Sequence, residues 1–403
     1  MTISPPAKVK LTHEDIFHVL SSGVDSLDLT FDIHWRDESF FEYLDSMQGL
    51  ALENEQDQAI QFPESEMFAI IKPYGRKGHK WILQNNDFDL TIGNWMEPIS
   101  RPSAMASIRS EALWRLGPVS CADILKELFY RAGAESVSVK PSRVDLCLDL
   151  TFPECEWSVN LIPLRVARSR YAAPHFDNVT MTGISIGQGN VAARLYNKPL
   201  EIAKKSKKFW MYDIWGIEQE IPTDLKIIRV EGQFRREAIR ELGIDLIDDL
   251  FNHVENLWAY FTQQWLRFET NPGQHHTMRQ ILPWWEIVQN GFLGVQQAAP
   301  LIRCKAISPL KKQLFAQSYG TLTSLMACHH EEQDVPIGSP ARLTDLVNQL
   351  QTSAKENGKS DFELEMDLAD KRAKRARANM KMRLAHAERK RLGLPSNIKR
   401  FLD

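Results

Sequence analysis

The sequence lacks both the cysteine pattern of a disulfide or zinc protein and the long apolar run of a membrane segment. Its five cysteines, in 403 residues, are scattered and show no C-x-x-C spacing, which predicts reduced core residues. No apolar run approaches the roughly 20 residues of a membrane span, and the first ten residues lack the apolar part of a signal peptide. We therefore expect a cytoplasmic protein without a membrane partner, large enough for two or three domains.

Charge is nearly balanced over the whole chain but is distributed unevenly. The net charge is -3, yet residues 371–400 contain twelve Lys or Arg and the single acid Glu388. A basic segment of this kind gains free energy when it releases counterions from a phosphate backbone. We predict DNA contacts from five residues of this tail, and a merely solvated basic helix is the alternative. The five residues are Lys371, Arg372, Lys374, Arg375 and Arg377.

Residues 181–198, MTGISIGQGNVAARLYNK, have the pattern of a β-hairpin. The segment 187–190 supplies the Gly and Asn residues that tight turns need. Alternation along the second strand predicts that Arg194, Tyr196 and Lys198 leave one face together. A phenol between two cations suits a tyrosine that loses its proton and attacks a phosphodiester, because the cations favour the phenolate and bind phosphate oxygens. The alternative is an amphipathic hairpin with a solvated basic face.

Two further alternating strands carry acids on one face. Asp145 and Asp149 share a face of the first strand, and Glu231 lies on the second strand between Arg229 and Arg235. If these strands neighbour the hairpin in one antiparallel sheet, the acids lie beside the tyrosine. Carboxylate oxygens suit Mg²⁺ or Mn²⁺, which would polarise a scissile phosphate. Solvated edge carboxylates are the alternative.

A faint internal repeat predicts two related halves. Residues 27–33, LDLTFDI, match residues 144–150, VDLCLDL, and residues 109–117, RSEALWRLG, match residues 235–243, RREAIRELG. The offsets of 117 and 126 residues are similar, although a chance match is the alternative. Met105 falls where the glutamate of the second half lies, so only the second half would carry the acids.

The predicted fold class is α+β, with antiparallel sheets, packed helices and a helical C-terminal region. The apolar spacing over residues 245–268 predicts one long helix. The domain prediction has five parts, which differ in composition and pattern. They are a mobile lead-in at 1–25, an N-terminal half at 26–134, a second half at 135–270, a helical region at 271–352, and a linker with a basic helical tail at 353–403.

Three segments of the second half together resemble the replication initiation factor family, the initiators of rolling-circle plasmids and their relatives in phages and conjugative elements. In chain order they are SRVDLCLD at 142–149, RLYNK at 194–198 with Glu201 just beyond, and RVE at 229–231 leading into FRRE at 234–237. The resemblance covers roughly residues 137–244. This chain departs from the family pattern in the glycine that follows the glutamate, and the part beyond residue 245 does not align.

The resemblance implies a fold like that of HUH-endonuclease nicking domains at 135–270, with an origin-binding part at 271–352. It implies an enzyme that nicks one DNA strand at an origin, becomes joined to the 5′ phosphate through Tyr196 and leaves a 3′ hydroxyl. Lys198 would be a second catalytic residue beside this nucleophile, stabilising the phenolate or the leaving oxygen. Asp145 and Glu231 would hold Mg²⁺ or Mn²⁺, with Asp149 as a companion. Implied partners are origin DNA, a host helicase and, as one option, a second copy of the chain.

Several alternatives stay open. Arg194, Arg229 and Arg235 are predicted to contact DNA, but they are equally compatible with a non-catalytic DNA-binding regulator. A conjugative relaxase would use the same tyrosine chemistry, and a metal-dependent nuclease would use water instead. Tyr260, on the predicted helix 245–268, is a rival nucleophile without cations beside it in the sequence.

Overall fold

The computed structural model divides the chain into two compact units, residues 1–302 and 303–403. The second unit contains a helix, Asp361–Arg391, as the basic tail predicts. The predicted linker at 353–360 lies outside the described residues. No described helix combines the length and the apolar character needed to cross a membrane. The structure describes residues 8–76, 78–270, 275, 278–294, 298–304, 318–319, 321–325, 327, 348, 352 and 361–395.

One eleven-stranded antiparallel sheet organises the first unit, and its strand order is β2-β3-β4-β5-β6-β1-β7-β12-β11-β10-β9. The two remaining strands, β8 and β13, form a separate pair. The strands are β1 (Val19–Trp35), β2 (Gln58–Gln61), β3 (Phe68–Ile71), β4 (Trp81–Gln84), β5 (Phe88–Ile92), β6 (Ala104–Ile108), β7 (Ala134–Pro153), β8 (Arg165–Ala167), β9 (Ala172–Asp177), β10 (Thr180–Ile186), β11 (Val191–Asn197), β12 (Leu225–Arg235) and β13 (Leu266–Phe268).

Among the described residues, the helices Ser39–Glu53, Pro118–Arg131 and Asp361–Arg391 are the long ones, and the helices together with the sheet confirm the predicted α+β class. Two π-helical turns, Ile202–Ser206 and Tyr260–Trp265, continue helices α4 and α8. The helices of the first unit are α1 (Ser39–Glu53), α2 (Ser110–Leu116), α3 (Pro118–Arg131), α4 (Lys198–Glu201), α5 (Met211–Trp215), α6 (Arg236–Glu241), α7 (Ile247–Asn252), α8 (Val254–Ala259) and α9 (Pro283–Asn290).

One core covers a face of the sheet along which apolar residues alternate, and a second apolar cluster, which includes Met211, Trp215 and Ile227, packs on part of the opposite face. On β1 every second residue from Leu27 to Ile33 is fully buried. Phe31 packs edge-to-face on Phe129 of α3, with ring centroids 5.0 Å apart. In the second half, Phe234 of β12 meets Phe261 in the same way at 6.0 Å. The opposite face therefore carries the polar side chains, including the predicted acids.

The two halves of the sheet are related as the internal repeat predicts. Counting outward from the centre, β1 is followed by β6, β5, β4 and β3, and β7 is followed by β12, β11, β10 and β9. Asp28 pairs with Ser107 and Asp145 pairs with Gln233, and these pairs are separated by the same 117 and 126 residues as the sequence repeat. The pairing between β1 and β7 at the centre of the sheet follows the same relation. Ser21 pairs with Asp149, and Asp32 pairs with Ser138. Each β7 residue is the repeat equivalent, 117 residues later, of the β1 residue in the other pair.

The first half lacks the candidate site residues of the second half at the equivalent positions. Met105 of β6 corresponds to Glu231 of β12. Gly93, whose N–H donates to the Ser103 carbonyl, corresponds to Tyr196. The duplicated framework therefore carries one candidate site, and it lies in the second half.

The predicted mobile lead-in at 1–25 is wrong from Val9 onward. Val9 bridges to Ile217, and β1 begins at Val19, which pairs with Leu150 of β7. Long-range pairing fixes these residues although their local sequence suggests little order. Strand β7 also continues through Pro141, a residue type that often ends a strand. The pairing with β1 shifts register there, since a proline has no N–H to contribute.

The single helix predicted over residues 245–268 is wrong. The segment instead forms α7, α8, a π-helical turn and β13, with a break at His253, whose φ is -135°. The predicted domain boundary at residue 270 also differs from the structure. Helix α9 belongs to the first unit, where the indole of Trp285 donates to the Thr262 carbonyl at 2.9 Å.

Gly232 offers a test of packing on the core face of β12. A Cβ added at Gly232 would lie 2.9 Å from ring carbons of the fully buried Phe261. We expect Gly232→Ala to lower the free energy of unfolding by about 1–3 kcal/mol through overpacking, measured by urea denaturation. The control is Gly49→Ala in α1, where a Cβ would meet nothing within 4 Å and should be neutral or stabilising by up to about 1 kcal/mol. Equal effects of the two substitutions would contradict this packing.

Candidate active site

The hairpin predicted at residues 181–198 is present as β10 and β11. Gly187 and Gly189 in its turn have φ values of 80° and 93°, which glycine adopts without strain. Gly183 lies opposite Tyr196, and a Cβ at Gly183 would come within 3.0 Å of the Tyr196 Cβ. The glycine therefore makes room for the tyrosine on the polar face.

Tyr196 and Glu231 meet across neighbouring strands. The Tyr196 hydroxyl donates to Oε2 of Glu231 at 2.9 Å. Arg194, which lies directly opposite Glu231, donates to Oε1 at 2.9 Å. The tyrosine is half-buried and borders a cleft of about 630 Å³ together with Arg194 and Glu231. One carboxylate thus holds both the candidate nucleophile and a cation, as the sequence predicts for neighbouring strands.

The phenol is not activated by its neighbours in this state. Burial raises the pKa of Tyr196 well above its usual value, and the charge of Glu231 raises it further, while Arg229 opposes them. The expectation that flanking cations favour the phenolate is therefore wrong for this state. The physical reason is that Arg194 is already paired with Glu231 and Lys198 with Glu201.

Lys198 lies beside the tyrosine, as expected, but it is buried. It begins α4 rather than continuing β11, and only 2% of its side chain is exposed. Its ammonium group donates to Glu201 at 2.8 Å and lies 5.5 Å from the centroid of the Tyr196 ring. This geometry orients the ring through a cation–π contact.

Asp145 occupies the same polar face on β7. It pairs with Gln233 while Cys147 pairs with Glu231, so Asp145 and Glu231 are diagonal neighbours on adjacent strands, about 7–8 Å apart at Cα by standard sheet geometry. Burial raises the pKa of Asp145, against the pull of the Arg143 guanidinium that binds it. Burial and the charge of Asp145 likewise raise the pKa of Glu231.

Asp149, predicted as a companion metal ligand, is committed to other partners. Its carboxylate accepts two hydrogen bonds from Arg229, both at 2.7 Å. The Trp215 indole and the Ser21 hydroxyl each donate to it at 2.9 Å. Both Asp149 and Arg229 are fully buried. The predictions of Asp149 as a metal ligand and of Arg229 as a DNA contact are therefore wrong in this structure, because the two side chains neutralise one another.

Asp25 completes this buried cluster, although the sequence pattern did not predict it as a site residue. It lies 2.9 Å from the Arg229 guanidinium and accepts from the Ser110 hydroxyl at 2.8 Å. Burial would raise the pKa of Asp25, but Arg229, together with Lys208 and Lys198, holds it well below its usual value. The sequence pattern does not mark Asp25. An irregularity in the pairing of β1 between Val24 and Ser26 turns the Asp25 side chain to the polar face, where it meets Arg229.

The other predicted DNA contacts differ in accessibility. Arg235, at the end of β12, is exposed, and 46% of the Arg194 side chain is exposed. Four residues of the C-terminal helix are also exposed, and they stay predictions as DNA contacts. They are Lys371, Arg372, Lys374 and Arg377. The side chain of Arg375 lies outside the described part of the structure.

The predicted metal site is reduced from three acids to two. Within the described part of the chain no group of three or more His, Cys, Asp or Glu side chains could hold a metal ion. Asp145 and Glu231 nevertheless fit Mg²⁺ or Mn²⁺, which can be bound by one or two carboxylates with substrate phosphate and water. Each of the two carboxylates is partnered by an arginine, Arg143 or Arg194, so both are balanced by positive charge.

Tyr260, the rival nucleophile, lies on the core face of the sheet, opposite the face that carries Asp145 and Glu231. It is fully buried, and its ring centroid is 6.4 Å from that of Phe234 on the core side. A phosphodiester cannot reach its hydroxyl in this arrangement. Tyr196 is therefore the better placed of the two tyrosines.

Comparisons with known proteins give little further information. No protein-family model matches the chain, and no curated protein matches it. Among solved structures, the chain is similar to the rolling circle replication initiator protein from Geobacillus stearothermophilus, at 14% identity and a TM-score of 0.40. The match covers 70% of this chain and 99% of that one. A likeness this distant does not establish a shared function.

The different roles of Asp145 and Asp149 can be tested by stability. We expect Asp149→Asn to lower the free energy of unfolding by about 3–5 kcal/mol, because it breaks the two-point contact with Arg229 in a fully buried position and leaves only Asp25 beside that charge. Asp145→Asn is the matched control on the same strand. The Arg143 partner has 32% of its side chain exposed, so the arginine left behind stays partly solvated, and a loss of about 1 kcal/mol is expected for the changed hydrogen bonds. Urea denaturation at pH 7 measures both, and a larger loss for Asp145→Asn would contradict the assignment.

Proposed function

We propose that the chain nicks one DNA strand and becomes joined to its 5′ end through Tyr196, in the manner of a rolling-circle replication initiator. The observation that supports this most is the 2.9 Å hydrogen bond from the Tyr196 hydroxyl to Glu231, at the edge of a cleft that also contains Arg194. A nucleophile, a proton acceptor and a phosphate-binding cation therefore converge. A conjugative relaxase would use the same chemistry.

The proposed step transfers a phosphoryl group from one oxygen to another. The Tyr196 oxygen attacks the scissile phosphorus while its proton passes to Oε2 of Glu231, the atom that already accepts its hydrogen bond. The bond from phosphorus to the 3′ oxygen breaks, and this oxygen leaves as a 3′ hydroxyl after taking a proton from solvent. The 5′ phosphate stays bound to the tyrosine, so the bond energy is kept for a later rejoining step.

The cations have three distinct parts in this proposal. Arg194 is partly exposed and can turn its guanidinium from Glu231 to a phosphate oxygen, for which its planar fork is suited. Arg235 and the exposed residues of the C-terminal helix would provide additional contacts to DNA phosphates. Lys198 is buried against Glu201 and the tyrosine ring, so we assign it to orienting Tyr196 rather than to direct phosphate binding.

Asp145 and Glu231 are the residues that would hold a divalent cation. When bound, Mg²⁺ or Mn²⁺ would polarise the scissile phosphate and offset the charge that develops on it. Glu231 directs one oxygen to Tyr196 and the other to Arg194. Binding of phosphate by Arg194 would free the second oxygen for the cation.

The tyrosine role predicts a covalent adduct. The full chain is incubated with Mg²⁺ or Mn²⁺ and a pool of single-stranded DNA whose central bases are randomised. We expect an adduct that survives SDS in the unchanged chain and is absent in Tyr196→Phe, because only the phenol can form a phosphotyrosine. Tyr260→Phe is the matched control and should keep the adduct.

Other outcomes would favour the alternatives. Nicking by Tyr196→Phe without an adduct would indicate a nuclease that uses water, and DNA binding without cleavage in the unchanged chain would indicate a regulator. Glu231→Gln should slow adduct formation by about 10²–10⁴-fold, as expected for loss of a general base. Asp145→Asn should likewise slow or abolish adduct formation, while DNA binding in EDTA is kept in both variants. Loss of binding in both would contradict these roles.

The basic tail predicts a salt-dependent contribution to DNA binding. Four exposed cations of the C-terminal helix are changed together to Gln: Lys371, Arg372, Lys374 and Arg377. If all four contact duplex phosphates, the slope of log K against log salt should become shallower by about 3–4, since each contact contributes about 0.9. Fluorescence anisotropy at several salt concentrations measures this slope. An unchanged slope would assign the tail to solubility instead.

A further inference from the structure

The cleft beside Tyr196 extends well beyond the atoms that the proposed reaction uses. It runs from Tyr196 and Glu231 across β10 to the edge strand β9, where His175 and Phe176 line it. Its volume is about 630 Å³, within the range of roughly 300–1,000 Å³ for small-ligand pockets. The cleft therefore has room for a ligand group next to the reacting phosphate.

A β-bulge shapes the outer end of this cleft. Met181 pairs with Phe176 and Gly183 pairs with His175, so Thr182 is an extra residue on β10. A bulge increases the local twist of its strand, here next to β9 at the sheet edge. Both His175 and Phe176 of β9 line the cleft, and Phe176 is 53% exposed. An exposed aromatic residue therefore borders the cleft at a strand edge.

The charges around the cleft suit a phosphate. Three of its acids are already bound by cations or by the tyrosine, namely Glu201, Asp177 and Glu231. Lys205 also lines the cleft and is exposed. It forms no ion pair with any residue that the structure describes. Its charge is therefore available to an anionic ligand.

We propose that this cleft binds one unpaired nucleotide of single-stranded DNA, with the base stacked on Phe176 and a phosphate held by Lys205. The proposal rests on the proposed function, because Tyr196 at the inner end defines where the scissile phosphate lies. Aromatic side chains with a basic groove are the usual means of binding single strands without reading their sequence. His175 and Ser185, 2.7 Å apart at Nε2 and Oγ, add hydrogen-bonding groups for the base edge.

The test measures binding of a fluorescein-labelled oligo(dT) 12-mer to the full chain in EDTA, by fluorescence anisotropy. Stacking is worth about 1–3 kcal/mol per base, so Phe176→Ala should weaken binding by about 5-fold or more. Phe68→Ala is the matched control, since Phe68 is 60% exposed on β3, the strand of the first half that corresponds to β9. It should leave the dissociation constant unchanged.

A second variant tests the phosphate contact separately. Lys205→Gln should make the slope of log K against log salt shallower by about 0.7, the value for one single-strand phosphate contact. Lys80→Gln, on the surface of the first half, should not change it. A 5-iodouracil-substituted oligo(dT) 12-mer, irradiated in the complex, should crosslink to the peptide that contains Phe176.

The outcomes separate this inference from the proposed function. Equal binding by Phe176→Ala and Phe68→Ala, or a crosslink elsewhere, would overturn the cleft assignment even if the Tyr196 adduct forms. Cleft-dependent binding of the 12-mer without any adduct would support the assignment as a single-strand site while the nicking proposal fails. Thermal melting of each variant checks that the fold is kept.

Discussion

The buried contact of Arg229 with Asp149 and Asp25 is the interaction on which the rest of the site depends. It joins β12 to β7 and β1, the central strands of the sheet. Such a cluster is costly to desolvate and is kept only when its geometry is good and hydrogen bonds satisfy its charged groups. Because side chains alternate along β12, fixing Arg229 on the polar face also places Glu231 there, directly opposite Arg194. The register that the cluster requires is therefore the register that brings a carboxylate to Tyr196.

The site itself is electrostatically balanced before any ligand is bound. Glu231 is paired with Arg194 and Asp145 with Arg143, while the phenol of Tyr196 stays neutral because its pKa is raised. In this state the arginines compensate the buried carboxylates. A phosphate that binds an arginine would remove that compensation and make the acids attractive to a cation. Substrate binding and cation binding would then reinforce one another, since each completes the charge balance that the other disturbs.

A duplicated framework carries this single site. The two halves share their strand order and their register, yet Gly93 and Met105 occupy the places of Tyr196 and Glu231. The first half thus extends the sheet and its core without repeating the chemistry. It also provides internal comparisons, because an exposed Phe68 and an exposed Phe176 lie on corresponding strands but only Phe176 lines the cleft.

Local pattern determined much of the fold. Alternation and turn residues predicted the α+β class, the hairpin of β10 and β11, and the repeat, since these depend on side-chain period and on backbone preferences that neighbouring residues share. The convergence of Tyr196, Glu231 and Asp145 also followed from alternation once their strands were assumed to be neighbours. The partners of the buried charges did not follow. Asp145 and Asp149 occupy similar positions on β7, and only the tertiary structure determines that Asp149 pairs with Arg229. The same holds for the contact of Asp25 with Arg229 and for the burial of Lys198 and Tyr260. Those choices depend on which distant groups meet in a low-dielectric interior, and no local pattern encodes that.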